Sequence, residues 1–136
     1  MVFIHDTEQS LRAAAALVNT LPHVGTEAVD QLVTQADFDA YLDEYAYTGT
    51  FHRDDEELDA VRANRSRLRG LWDVDRDAAV PIVNAMLRDG NALPQLVIHD
   101  GFDWHIHATE SDAPLSVRML VEAAMAFVDV IRADQW

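Results

Sequence analysis

The stretch from Pro114 to Ala133 constrains the fold more than any other part of the chain. Leu115, Met119, Leu120, Val121, Ala123, Ala124, Phe127, Val128, Val130 and Ile131 cover most of the circumference of a helix, and Arg118, Glu122, Asp129 and Arg132 fall on one narrow strip. A helix that is apolar nearly all round must be surrounded by other elements. The charges at 118, 122 and 129 make insertion into a bilayer costly, so the stretch reads as a core helix and not a membrane span. It ends in Asp134-Gln135-Trp136 with no Gly or Pro stop signal.

Four further helices are available to cover it. The first starts near Asp6-Thr7, with either as cap and acids in its first turn, and shows Leu11, Ala14, Ala15 and Val18 on one face. Asn19, which tolerates a left-handed turn, and Pro22, which cannot extend the hydrogen-bond ladder, mark its end. Thr34-Gln35-Ala36-Asp37 has the spacing of a capping box, and Phe38, Tyr41, Leu42 and Tyr45 supply the face of the second helix, closed by Tyr47-Thr48-Gly49-Thr50. The acids Asp54-Asp55-Glu56-Glu57 suit the positive end of a third helix, and lack the alternating ligands around a Gly that a calcium loop needs. Leu58, Val61, Leu68 and Trp72 form the stripe of that helix, with Arg65 inside it, and a charge on an apolar face requires a partner or a ligand. The fourth, from Asp75 to Arg88, turns Ala79, Ile82, Val83, Met86 and Leu87 inward, carries Pro81, and ends at Asp89-Gly90-Asn91.

Between Leu93 and Thr109 the period changes to two. Leu96-Val97-Ile98-His99 and Trp104-His105-Ile106-His107 alternate, and Asp100-Gly101 between them is a hairpin signal. Trp104 and Ile106 then share one face, and His105 and His107 the other. The expected fold is α+β and mainly helical: about five helices packed around the long C-terminal one, with one β-hairpin, in a single domain spanning 1–136.

Charge and composition exclude several functions. The net charge of −14 rests on 24 acids against ten basic residues, all Arg, and such a surface repels phosphate backbones and anionic membranes. Neither nucleic acid nor membrane is expected to bind this domain. With no cysteine there are no disulfides or thiolate metal sites, and the start Met1-Val2-Phe3-Ile4-His5-Asp6 lacks an export signal, which agrees with a cytoplasmic location.

The chemistry-bearing residues are sparse. His105 and His107 share a strand face and His99 lies on the neighbouring strand, but a closed metal site wants three or four ligands and exposed hairpin histidines are the simpler reading. No metal is therefore assigned. Arg62, Arg65 and Arg69 lie on one side of the third helix, where their guanidinium forks suit a carboxylate of the chain or an external anion. Ser10, Ser66, Ser111 and Ser116 sit in helical or capping contexts without a nucleophile turn, and no glycine-rich phosphate loop is present. No catalytic residue is assigned, and the chain does not read as an enzyme.

The order of the elements and several short motifs resemble the ABATE domain of stress-induced transcription regulators. Leu17-Val18-Asn19-Thr20 ends the first helix, Asp30-Gln31-Leu32-Val33-Thr34-Gln35-Ala36-Asp37-Phe38 leads into the second, and Leu68-Arg69-Gly70-Leu71 resembles the family's Leu-Arg-Glu-Ala-Leu segment, with Gly70 departing from it. The similarity covers nearly the whole chain. It implies the N-terminal domain of a bacterial regulator whose zinc and DNA contacts belong to a C-terminal Cys-Gly-Asn-Arg module. This chain has no such module, so zinc is expected there and no cofactor here. The role implied for the domain is sensing a ligand or forming a homodimer. The candidate ligand-binding residues are Asn19, Thr20, Arg65, Arg69 and Trp104, in a pocket between the first helix, the third helix and the hairpin. Arg65 and Arg69 would hold a small anionic ligand. A structural oligomerisation module without a ligand and a small-molecule enzyme are the alternatives.

Overall fold

The computed structural model describes residues 3, 5–45, 47, 49–98, 101 and 103–136. The expectations placed on Met1, Val2, Ile4, Thr48, His99 and Asp100 fall outside the described residues. The elements are α1 (His5–Val18), α2 (Gln35–Tyr45), α3 (Asp55–Arg69), a 3-10 turn (Gly70–Asp73), α4 (Arg76–Asp89), β1 (Gln95–Val97), β2 (His105–His107) and α5 (Leu115–Arg132).

Helix α5 packs against α1, α3 and α4 at once. Residues Leu115, Met119, Leu120, Val121, Ala123, Ala124, Ala126 and Phe127 are all buried. Of these, Leu115, Met119, Leu120, Ala123, Ala124 and Phe127 join Leu17 of α1, Phe38 of α2, Val61 and Leu68 of α3, Leu71 of the 3-10 turn and Met86 of α4 in one hydrophobic cluster. Each large apolar side chain among them stabilises the fold by about 1.5–3 kcal/mol relative to exposure.

The helix starts follow local chemistry. Thr34 Oγ1 accepts from Asp37 N–H at 3.1 Å while Asp37 Oδ2 accepts from Thr34 N–H at 3.0 Å, a reciprocal capping box. Asp54 accepts from Glu57 N–H at 2.8 Å to open α3, and Asp75 accepts from Ala78 N–H at 2.9 Å to open α4. Glu57 turns back as well, taking the N–H groups of His52 and Arg53. Asp6 and Thr7, expected as caps, lie inside the first turn of α1, and Pro81 sits within α4.

The helix ends depart further from expectation. Asn19 is not left-handed: Thr20 N–H and Leu21 N–H bond to Leu17 O and Val18 O, tightening the last turn, and the positive φ falls at His23 (62°). At the end of α4 the left-handed residue is Asn91 (φ 49°), not Gly90. Gly90 is required for another reason, since a Cβ there would collide with the side chain of Val121 on α5. The end of α5 is stopped without Gly or Pro. Asp134 takes φ 55°, its N–H bonds Ile131 O at 3.2 Å, and Gln135 N–H bonds Val130 O at 3.0 Å. A Schellman motif thus stops the helix without glycine, because a short polar side chain tolerates the left-handed region. Trp136 then folds back, its ring 5.7 Å from that of Phe127 and its indole N–H 2.9 Å from Val74 O.

Trp72 is the remaining departure. The stripe on α3 breaks at Gly70 where the helix tightens, so Trp72 is 45% exposed and meets Phe127 only edge-on at 5.4 Å. The two strands pair antiparallel with Gln95 opposite His107, Leu96 opposite Ile106 and Val97 opposite His105.

Candidate functional site

Three polar assemblies sit inside the fold. The first ties the long loop after α1 to α3. Asp30 accepts two bonds from Arg65, Nη1 to Oδ1 at 2.8 Å and Nη2 to Oδ2 at 2.9 Å, and a third contact from Arg62 Nη2 at 3.2 Å. Thr20 Oγ1 accepts from Arg65 Nη1 at 3.1 Å, and Arg62 donates to Leu32 O. Arg65 is buried, and these hydrogen bonds hold the Asp30 carboxyl down to about 2. The charge in the apolar stripe has a partner of its own, so Arg65 does not face an external anion.

The second assembly is built on Arg118, also buried, in the first turn of α5. Its Nε donates to Ala113 O at 2.9 Å and its Nη2 to Thr50 O, while Phe51 lies under the guanidinium at 5.6 Å. Gly49 (φ 93°) packs against this group, and both its backbone conformation and the proximity of Ser111 O exclude a side chain. The loop between α2 and α3 is thereby pinned to the loop before α5, where Thr50 N–H also bonds Ser111 O at 3.0 Å.

The third is a cavity of about 440 Å³ between α1, α5 and the hairpin. Its floor is the polar strip of α5: Glu122, Met125, Ala126 and Asp129. One wall is α1, through His5, Asp6, Gln9 and Ala13, and the opposite wall is β2 with Trp104, His105 and His107. Tyr45 and Tyr47 close the side nearest α2. The size falls within the range of small-molecule sites. Glu122 and Asp129 of the polar strip therefore face this cavity.

Burial pushes the Glu122 carboxyl up to about 7, against the opposing pull of Arg118 and His105. Among the described residues Glu122 accepts no hydrogen bond. Asp129, by contrast, accepts from Thr7 Oγ1 at 2.6 Å, joining the first turn of α1 to the far end of α5. His105 Nδ1 lies 2.8 Å from Asp103 O, and its Nε2 lies 3.3 Å from His107 Nε2. For a neutral pair this makes His105 a donor through Nδ1 and leaves its Nε2 to accept from His107. Burial also raises the Tyr47 phenol, and Glu122 adds to that shift.

The family model described as "Putative stress-induced transcription regulator", ABATE, matches residues 11–134. The chain belongs to the ABATE family. No curated protein matches it.

The match explains what the ABATE motif residues do in this chain, and it is mostly fastening. Thr20 and Asp30 meet at Arg65 in the first assembly. Thr34 and Asp37 form the capping box, and Leu68 and Leu71 lie in the core. Arg69 lies apart from Arg65 in the surface pair with Asp73, 3.3 Å away. Asn19 is exposed and borders a shallow cleft with Arg12 and Glu44, away from the main cavity.

Of the five residues singled out in the sequence, only Trp104 lines the main cavity of this ABATE domain. The pocket expected between α1, α3 and the hairpin is instead framed by α5 in place of α3. Glu122, Tyr45, Tyr47, Asp129 and His105 were not singled out as ligand contacts. The available signal was Glu122 itself, an acid one turn from Arg118 in a mainly apolar helix. Among the described residues no three His, Asp or Glu gather as a metal site would require, and no helix is long and apolar enough to cross a membrane.

Proposed function

We propose that this ABATE domain is the small-molecule-sensing part of a transcription regulator, with the cavity between α1, α5 and the hairpin as its ligand site. The cavity carries the reading. It combines an apolar and aromatic lining with a half-buried carboxyl that accepts no hydrogen bond from the described residues, the pattern of a site that orients a ligand through few polar groups. DNA contact would come from a zinc-binding module of the kind the family carries, since a surface of net charge −14 repels phosphate. A regulator of this kind works in the cytoplasm.

The test is a fragment screen by NMR on the isotopically labelled domain, using cationic, neutral and anionic fragments. Hits are expected to shift Trp104 and Ala126 together and to lose that effect in Trp104→Ala. A blank screen across all three charge classes would sink the reading.

A second reading, homodimerisation, is favoured by one observation. Leu96, Ile98 and Ile106 on the outer face of the hairpin are 68%, 54% and 45% exposed, beside Leu93 at 72%. Leu96 and Ile106 are directly opposed across the ladder. On this reading sedimentation at micromolar concentration gives a dimer that Leu96→Lys dissociates; a monomer at all concentrations rules it out.

A further inference from the structure

Charge sign and shape at the cavity go further than the sensing reading, on which the following rests. Among the described residues none of the chain's arginines lines the cavity, and the chain has no lysine. The charged groups at its surface are carboxylates, Asp6, Asp103, Glu122 and Asp129. They are not equivalent. Asp129 is engaged by Thr7 at 2.6 Å, Asp103 by the backbone of Trp104 at 2.7 Å and Asp6 by the backbone of Thr7 at 3.0 Å. Glu122 alone of the four accepts no hydrogen bond from the described residues, and it occupies the floor. Arg118 lies behind it, donates to Ala113 O and Thr50 O, and acts on the Glu122 carboxyl by its charge from the protein side, leaving the cavity side of that carboxyl to a ligand. The walls nearby are aromatic, Trp104, Tyr45 and Tyr47, whose ring faces attract cations.

We infer that the cavity takes a small organic amine with an aromatic or aliphatic body, its ammonium group on Glu122 and its body against Trp104, Tyr45 and Met125. An anion there would meet four carboxylates and no guanidinium. A neutral ligand would leave the floor carboxyl unmatched. A cation with an apolar body satisfies both the floor and the walls, and a carboxylate desolvated in this way gains most from a charged donor. Ammonium binding favours the ionised form of Glu122, so a proton leaves that carboxyl as the ligand enters. The other titratable and charged groups facing it are His5, His105 and His107, Arg118 behind it, and Tyr45 and Tyr47, whose phenols burial raises.

The experiment is isothermal titration of the domain at physiological ionic strength, which screens the general attraction of an acidic protein for cations. The probes are tryptamine, its neutral analogue 3-ethylindole and indole-3-acetate. Tryptamine is expected to bind one to one and most tightly, with affinity rising between about pH 6 and about pH 8 and with proton release. Glu122→Gln and Trp104→Ala are each expected to weaken it about tenfold or more. Asp59→Asn, which removes an exposed acid on α3, is expected to leave it unchanged. If 3-ethylindole or indole-3-acetate binds as well as tryptamine, or Glu122→Gln has no effect, the amine inference is overturned while the sensing reading stands. If none of the three binds, the inference also falls, and the sensing reading then depends on the fragment screen alone.

Discussion

Arg65 lies fork to fork on Asp30, with Nη1 2.8 Å from Oδ1 and Nη2 2.9 Å from Oδ2. Their carrying elements are the loop after α1 and the middle of α3, so this pair fixes the path of a loop that has no regular structure of its own. Truncating Asp30 leaves a buried guanidinium with only Thr20 and Arg62 O as acceptors. Asp30→Ala is expected to cost about 3–5 kcal/mol in urea unfolding, and Asp30→Ala with Arg65→Met to recover part of it. Because the folded carboxyl titrates at about 2, below its ordinary 3.8, its contribution is present above pH 3.8 and lost as pH falls through 2. The double variant should lack that acid limb.

Glu122 gives the opposite slope. Its folded carboxyl titrates at about 7, above the ordinary 4.5, so its contribution is complete below pH 4.5 and is lost as pH rises through 7. A shift of that size corresponds to about 3 kcal/mol. Glu122→Gln, neutral at every pH, is expected to match wild type near pH 4 and to be more stable by about 2–3 kcal/mol at pH 8. Chemical denaturation at the two pH values checks this; equal stability of the two proteins at pH 8 contradicts it.

Two glycines should respond in opposite directions to the same change. Gly70 has φ −57°, and a Cβ there meets nothing within 4 Å, so Gly70→Ala only reduces the freedom of the unfolded chain. It is expected to stabilise by about 0.4–1 kcal/mol. Gly90→Ala drives a methyl into Val121, itself buried and β-branched, and is expected to destabilise by about 1–3 kcal/mol. Thermal melts of the two variants against wild type decide the signs.

The Thr7 hydroxyl, buried beside α5, is the only described donor to Asp129. Thr7→Val keeps the shape and removes that donor, leaving a carboxylate at the cavity edge. A loss of about 1–2 kcal/mol is expected. Thr7→Ser, which keeps the hydroxyl, should retain most of the stability, and a Ser variant as weak as Val would show that the methyl group matters and the hydrogen bond does not.

What the sequence made legible was local. Asp54, Asp75 and the Thr34–Asp37 pair open their helices within four residues, and the apolar wrap of α5 demands a central place whatever surrounds it. What it hid was mostly non-local. Periodicity places Arg65 in an apolar stripe but cannot find Asp30, 35 positions away, which accepts its charge. Thr7 and Asp129 are separated by 122 positions and meet only once α1 lies along α5. Hydropathy marks the polar strip of α5 but does not distinguish a cavity from bulk water as what it faces. The stop after Ala133 carries no Gly or Pro signal because Asp134 supplies the left-handed residue, a conformation that Asp enters more readily than most residues.

The floor of the cavity and the centre of the core belong to one helix. Glu122 and Ala126 alternate along α5 with Leu120, Ala124 and Phe127, which pack the opposite side. No hinge or separate lobe lies between them, so the amide protons from Met119 to Ala124 are expected to exchange with solvent only when the whole molecule opens. Anything held at the floor therefore slows that exchange together with global unfolding, and occupancy becomes readable as deuterium retention in a segment the occupant touches on one side only.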